Sequence, residues 1–258
     1  QLTGGLTMFF AQFTVQAGVF FTVPLFLSVV LELSALQTGI RLIPLSIALL
    51  VAAAGIPKLW PRANPRRVVR WGLASMTIGI LVLVAGLDPG ANAGIVAVPM
   101  LLMGLGLGAL ASQLGAVTVS AVPDSQSAEV GGLQNTATNL GASLGTALIG
   151  SVLIATLSAT IVAGIQSNPD VPAATKEQAS TELASGVPFL SDSQLRVALN
   201  EASVSESTAQ EIVDLNADAR LEALRVALAL AALLGLTALF FTGNIPRQAP
   251  AAQVPENP

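Results

Sequence analysis

Two pairs of amide side chains stand out in a mostly apolar sequence. Gln12 and Gln16 are four residues apart, as are Asn135 and Asn139, so each pair shares one face of a helix. At about 100° per residue, Phe9, Phe13 and Phe20 fall near the glutamine face, which combines amide hydrogen bonding with aromatic surface. Such a stripe could line a cavity for an amphipathic or aromatic ligand. The plainer alternative is that the glutamines tie this helix to a neighbour while the phenylalanines meet lipid. Asn135, Asn139, Ala142 and Thr146 form a second stripe, and Gly141 and Gly145 form a GxxxG on a face roughly 90° away. On that reading the glycines admit another helix, and the asparagines look into a bundle interior or an aqueous cavity. The alternative is helix-to-helix glue with no ligand. The candidate cavity residues are therefore Gln12, Gln16, Phe20, Asn135 and Asn139. Gly104 and Gly108, with Ser112, repeat small residues and join Gly141 and Gly145 as candidate packing positions.

What is missing narrows the chemistry further. The chain has no cysteine and no histidine, which removes disulfides, thiolate metal sites and every Ser-His or Cys-His triad. Acids and bases near the spans stay at boundary positions: Glu32, Arg41, Asp88, Glu129 and Glu222. No catalytic residue, metal site, cofactor or nucleic-acid partner is expected, and an enzyme is not. A proton-coupled carrier normally uses a buried titratable carboxylate, so any proton site is expected outside these helices.

These residues need elements to position them, and composition says what those are. Hydrophobic residues make up 53% of the 258 and charged ones 10%, with a mean hydropathy of +0.73; a soluble domain carries roughly 25% charged residues. The apolar residues form long blocks, at about 6–30, 38–57, 68–87, 94–122, 130–164 and 221–241. Each can cross a hydrocarbon core of about 30 Å at about 1.5 Å per residue. The expected fold is an all-α integral membrane bundle of six transmembrane helices. Pro24 and Pro44 lie inside spans, where they can bend a helix.

Between Lys58 and Arg70 lie five of the eleven basic residues and no acid. The positive-inside rule places that loop, with Arg66, Arg67 and Arg70, in the cytoplasm. An even number of spans then puts both chain ends there too, in the plasma membrane, with the turns at Glu32 and Asp88 outside. Residues 165–219 are polar and acidic. Capping-box patterns at Thr175/Gln178, Ser191/Gln194, Ser203/Glu206 and Ser207/Gln210 predict short helices in an outer cap. The expected organisation is residues 1–164 for five spans, 165–219 for the extracytoplasmic segment, 220–243 for the last span and 244–258 for a cytoplasmic tail. The chain opens at Gln1 with no signal peptide pattern, as a piece of a longer protein would.

The runs GVFFTVPLFL at 18–27, SALQTGIRLIP at 34–44 and GGLQNTATNLGASLG at 131–145 resemble the C-terminal half of major facilitator superfamily transporters, and within them the fourteen-helix drug/proton antiporters. The resemblance implies a bundle that pairs with an N-terminal six-helix bundle, plus two linker helices, and alternates access around a central cavity. It further implies export of drugs or other hydrophobic or cationic small molecules against protons. One departure is visible: Arg66 and Arg67 stand where the family's cytoplasmic loop motif would be repeated, but its acidic partner is absent between Gly55 and Arg70. A non-transporting membrane scaffold or sensor, whose outer segment binds a partner, is the rival expectation.

Overall fold

The computed structural model describes residues 2–88, 92–167, 176–177, 181, 186–201 and 204–246. Among the described residues, six helices long and apolar enough to cross a membrane make up the bundle. They are α1 (Leu2–Leu25, continued as a π-helix over Phe26–Val30), α2 (Ala35–Leu59), α3 (Pro65–Gly86), α4 (Ala97–Val119), α5 (Ser127–Ser167) and α7 (Glu206–Phe241). A short helix, α6 (Asp192–Glu201), lies in the acidic segment between α5 and α7. The chain is thus an all-helical, multi-pass membrane protein.

Local chemistry starts and stops these helices where the bundle needs it. A capping box opens α2: the Ser34 backbone N–H donates to Gln37 Oε1 at 2.9 Å and the Gln37 N–H to Ser34 Oγ at 3.3 Å. At α3, Asn64 Oδ1 accepts the Arg67 N–H and Pro65 occupies the first turn, where its missing donor costs nothing. Pro24 removes one ladder hydrogen bond from α1, and beyond it the helix widens into the π-helical turn.

Of the anticipated capping boxes, Ser191/Gln194 is present, each residue bonding the other's backbone N–H at 3.0 and 3.2 Å. The last helix differs from expectation. Ser205 caps it, accepting the Thr208 N–H, and Ser207 lies inside the helix rather than at its start. Thr175, Gln178 and Ser203 fall outside the described residues, as does the tail from 247. Both α5, at 41 residues, and α7, at 36, exceed a bilayer's thickness, and the last turns of α5 meet the first part of α7 where Gly164 abuts Leu215.

Neighbouring helices pass close through pairs of glycines. A side chain at Gly141 or Gly145 of α5 would overlap the carbonyls of Phe10 and Thr14 on α1. One at Gly104 or Gly108 of α4 would overlap those of Leu45 and Leu49 on α2. The residue numbers rise together in both cases, so α1 runs parallel to α5 and α2 to α4. By contrast Gly72 meets Gly106 and Ala109 while Gly79 meets Met103, so α3 and α4 are antiparallel. The result is an up-down bundle with a core that includes Met8, Val15, Leu27, Leu73, Ile80, Met103, Leu110, Leu153 and Leu228.

The pairing has an internal symmetry. Exchanging α1 with α4, α2 with α5 and α3 with α7 turns the α1–α5 contact into α4–α2 and the α1–α7 contact into α4–α3, all of which are present. The exception is α5–α7, whose counterpart α2–α3 has no comparable contact.

Gly145→Val should cost roughly 1–3 kcal/mol by overpacking the α1–α5 seam and lower the thermal midpoint in detergent. Gly131→Ala, where an added Cβ meets nothing within 4 Å, should hold or raise it.

Candidate functional site

The α1–α5 seam sets the geometry of the candidate site. With Gly141 against Phe10 and Gly145 against Thr14, the face of α5 beside the glycines turns toward the open side of α1. There Phe13, Gln16, Ala17, Phe20 and Phe21 of α1 meet Ala142 and Thr146 of α5 around a cavity of about 420 Å³. Gln16 and Phe20, selected from sequence, share this cavity.

The other selected residues sit differently. Gln12 is buried, 6% exposed, and points toward the bundle. Its Nε2 donates to Gln16 Oε1 at 3.5 Å, and its own Oε1 has no hydrogen-bond partner. Asn135 and Asn139 are exposed on α5, where Asn139 Nδ2 donates to the Asn135 carbonyl at 2.9 Å and to its Oδ1 at 3.1 Å. In the parallel register they lie level with the first two turns of α1, below the cavity and outside its lining. The stripe is therefore real as a helix face, but only its upper half, Ala142 and Thr146, meets the glutamine and phenylalanine residues. Phe9 packs against the core instead.

At the end of the bundle where α1 starts, the basic loop is divided between two roles. Arg66 Nε donates to the Ile245 carbonyl at 2.7 Å and Arg70 Nε to Thr242 Oγ1 at 3.3 Å, which holds the end of α7 against the start of α3. Gly4 packs on Asn244 as well. Both ends of the described chain and the basic loop thus lie on one face of the bundle. Arg67 makes no such side-chain bond among the described residues.

On the far face lies a charged centre that the sequence reading passed over. Arg220 on α7 is 1% exposed. Its guanidinium donates to the Leu190 carbonyl at 2.7 Å and the Val29 carbonyl at 3.4 Å, and forms a salt bridge with Asp192. Asn216 Nδ2 also donates to the Leu190 carbonyl, at 3.4 Å. Beside it, Glu32 has a left-handed backbone, φ 49°, and its carboxylate accepts the Ser193 N–H at 2.8 Å at the start of α6. Arg225, likewise overlooked, donates to the Leu87 carbonyl at the end of α3 at 2.6 Å. Arg220 immediately precedes the last apolar block, and its signal was that a base bordering a span in an acidic segment needs a partner.

The arrangement is a membrane bundle with amide and aromatic groups around an open cavity and, among the described residues, no group of acidic side chains able to hold a metal. Residues 2–146 match the family model of the Major Facilitator Superfamily. The chain belongs to that superfamily. It is 28% identical over 155 residues to the multidrug resistance protein Stp of Mycobacterium tuberculosis, 60% of this chain and 28% of that protein. To the multidrug efflux pump LfrA of Mycolicibacterium smegmatis it is 28% identical over 156 residues, 60% of the chain and 29% of the pump. To the tetracenomycin C resistance and export protein of Streptomyces glaucescens it is 30% identical over 150 residues, 58% of the chain and 28% of that protein. The chain thus covers less than a third of the length of each of these relatives. That superfamily is one of membrane transporters. The match includes both walls of the cavity and leaves out α6 and α7.

The Ser193 N–H, with the Ser193 and Ser191 hydroxyls and Arg220 behind them, holds the Glu32 carboxyl below the usual glutamate range. A lowered pKa stabilises the contact above the unfolded value, and that stability is lost as pH falls through the folded value. Hydrogen exchange should therefore find the Ser193 amide protected at pH 7 and at pH 5, and exposed only once the pH drops below about 4.3. Glu32→Ala should expose it throughout.

Proposed function

We propose that this chain is the C-terminal half of a proton-coupled secondary exporter of drugs or other hydrophobic and cationic small molecules, working by alternating access. The observation that carries the proposal is the cavity where Gln16 and Phe20 of α1 face Thr146 of α5, on the open side of a superfamily bundle. Amide and hydroxyl groups there can orient a ligand, and the phenylalanines offer flat apolar surface to an aromatic one. The relatives' names, a multidrug resistance protein, a multidrug efflux pump and a tetracenomycin C export protein, supply the substrate class.

Asn135 and Asn139 support the need for a second bundle. Exposed amides on a membrane helix are poorly placed against lipid, and an N-terminal six-helix bundle of the same protein, joined through two linker helices, would cover this face and close the cavity. Gln12, buried behind Gln16, is a positioning residue in this scheme, since it bonds Gln16 and does not line the cavity. No acid lies in α1 to α4, Glu129 stands in the first turn of α5, and the acids of α7 end at Glu222, at the border of its apolar run, so the proton site is assigned to the other half. The organisation follows: five spans in residues 1–164, an outer segment over 165–219, the last span over 220–243 and a tail over 244–258. The Lys58–Arg70 loop and both chain ends face the cytoplasm of the plasma membrane.

In the complete transporter, Gln16→Leu and Phe20→Ala should each lower efflux of a cationic dye about fivefold, the scale of one lost ligand contact, with the amount of protein in the membrane unchanged. Asn135→Ala with Asn139→Ala should reduce it similarly. Full efflux in all of these variants would sink the site assignment.

Topology has its own test, because the chain has no cysteine. In a cysteine-free background, an impermeant maleimide added to intact cells should label Ser207→Cys and not Ala63→Cys. The opposite pattern would reverse the orientation.

A further inference from the structure

The break in the bundle's symmetry leaves a second opening. Where α5 and α7 touch, their counterparts α2 and α3 stay apart, and a groove of about 650 Å³ opens between them beside the basic loop, with Leu105 and Ala109 of α4 as its floor. Its walls are apolar over most of their length, with Gly55 and Leu59 on the α2 side. Trp60 and Trp71, 64% and 75% exposed, flank it, and Arg67 and Asn64 stand at its mouth. This groove is remote from the Gln16 cavity, and nothing in the transport scheme uses it.

Three observations say what fits it. First, its charge is one-sided. Between Leu33 and Leu87 the chain holds no Asp or Glu, and neither does α4, so all three helices around the groove lack a counter-ion. Second, Arg67 is the arginine left over. Arg66 and Arg70 are committed to Ile245 and Thr242, whereas the exposed Arg67 guanidinium has no ion pair or hydrogen bond among the described residues. The first turn of α3 adds the positive end of a helix dipole at the same point. Third, the two tryptophans mark the depth at which headgroups meet acyl chains, where indole rings concentrate. The occupant therefore has an anionic head beside Arg67 and an apolar tail running along the groove toward Leu105.

We infer that this groove binds an anionic phospholipid of the surrounding leaflet, its phosphate on Arg67 and one acyl chain between α2 and α3. A guanidinium matches a phosphate with paired donors, and basic pockets between transmembrane helices on the cytoplasmic side are suited to acidic headgroups. The assignment to the inner leaflet rests on the orientation proposed above. The groove itself does not, because a bilayer with acidic lipid in both leaflets presents the ligand whichever way the protein is inserted.

The tryptophans provide the readout, since Trp60 and Trp71 are the only two in the chain and both line the groove. The complete protein, with any tryptophan outside residues 1–258 changed to phenylalanine, is reconstituted in phosphatidylcholine vesicles. Phosphatidylglycerol or phosphatidylcholine with brominated acyl chains then quenches the fluorescence. Phosphatidylglycerol should associate about fivefold more strongly than phosphatidylcholine, the effect of one basic side chain at an anionic surface. Arg67→Gln should bring that ratio to about one and Arg67→Lys should keep most of it. Gly55→Leu, placed where an added Cβ meets nothing within 4 Å, should fill the groove and reduce quenching by both lipids. Arg62→Gln, in the same loop but outside the groove, should leave the ratio near its original value. Equal association of the two lipids with the unaltered protein would overturn the inference. So would an equal loss in Arg62→Gln and Arg67→Gln, which would mean a diffuse basic surface rather than a site.

Discussion

Close backbone approach between helices is the constraint from which the bundle is built. In a bilayer the lipid tails are as apolar as leucine, so burying leucine supplies little drive for association and packing must come from dispersion and a few polar contacts. Glycine pairs one turn apart meet that need twice, on α4 against Leu45 and Leu49 and on α5 against Phe10 and Thr14. Each pair brings two carbonyls of the partner, four residues apart, within contact distance. The α1–α5 seam then rotates Thr146 toward Gln16 and produces the cavity. The α2–α4 seam leaves α3 to pack on the far side of α4, and the separation of α2 and α3 follows from that.

The far face is held by electrostatics instead. Arg220 gathers the Val29 carbonyl at the π-helical end of α1, the Leu190 carbonyl and Asp192 around one buried guanidinium. Burying a cation is costly unless its donors are satisfied, and here backbone oxygens supply most of the partners. The acidic segment is thereby tied to the bundle through α7 and, by way of Glu32 and Ser193, through the α1–α2 turn. This anchoring fits a cap belonging to the bundle better than a free arm reaching for another protein.

The number and extent of the spans were legible because a bilayer demands long uninterrupted apolar runs, and nothing else in a protein does. Helix partners were only half legible. The GxxxG at Gly141 and Gly145 announced close contact, but the parallel pairing with α1 depends on surface shape that no residue pattern encodes. Helical periodicity placed Gln12 and Gln16 on one face. It could not separate them, because about 40° of rotation between i and i+4 decides which amide lies inside the bundle and which borders the cavity. Arg220 was overlooked for a related reason: its partners are mainly carbonyls, which every residue has. The start of the last helix was obscured in the same way, with several serines offering equivalent caps and packing choosing Ser205.

The parallel seam between α1 and α5 also has a consequence in time. Phe10 and Gly141 touch across 131 positions of chain. At roughly 5–20 residues per second of synthesis, α1 enters the membrane on the order of ten seconds before the helix it packs against exists. During that interval its inward face, Gln12 included, has no α5 to meet. The hydrogen bond from Gln12 to Gln16 needs no partner helix, so each amide can shelter the other from hydrocarbon while the nascent bundle waits for its fifth member.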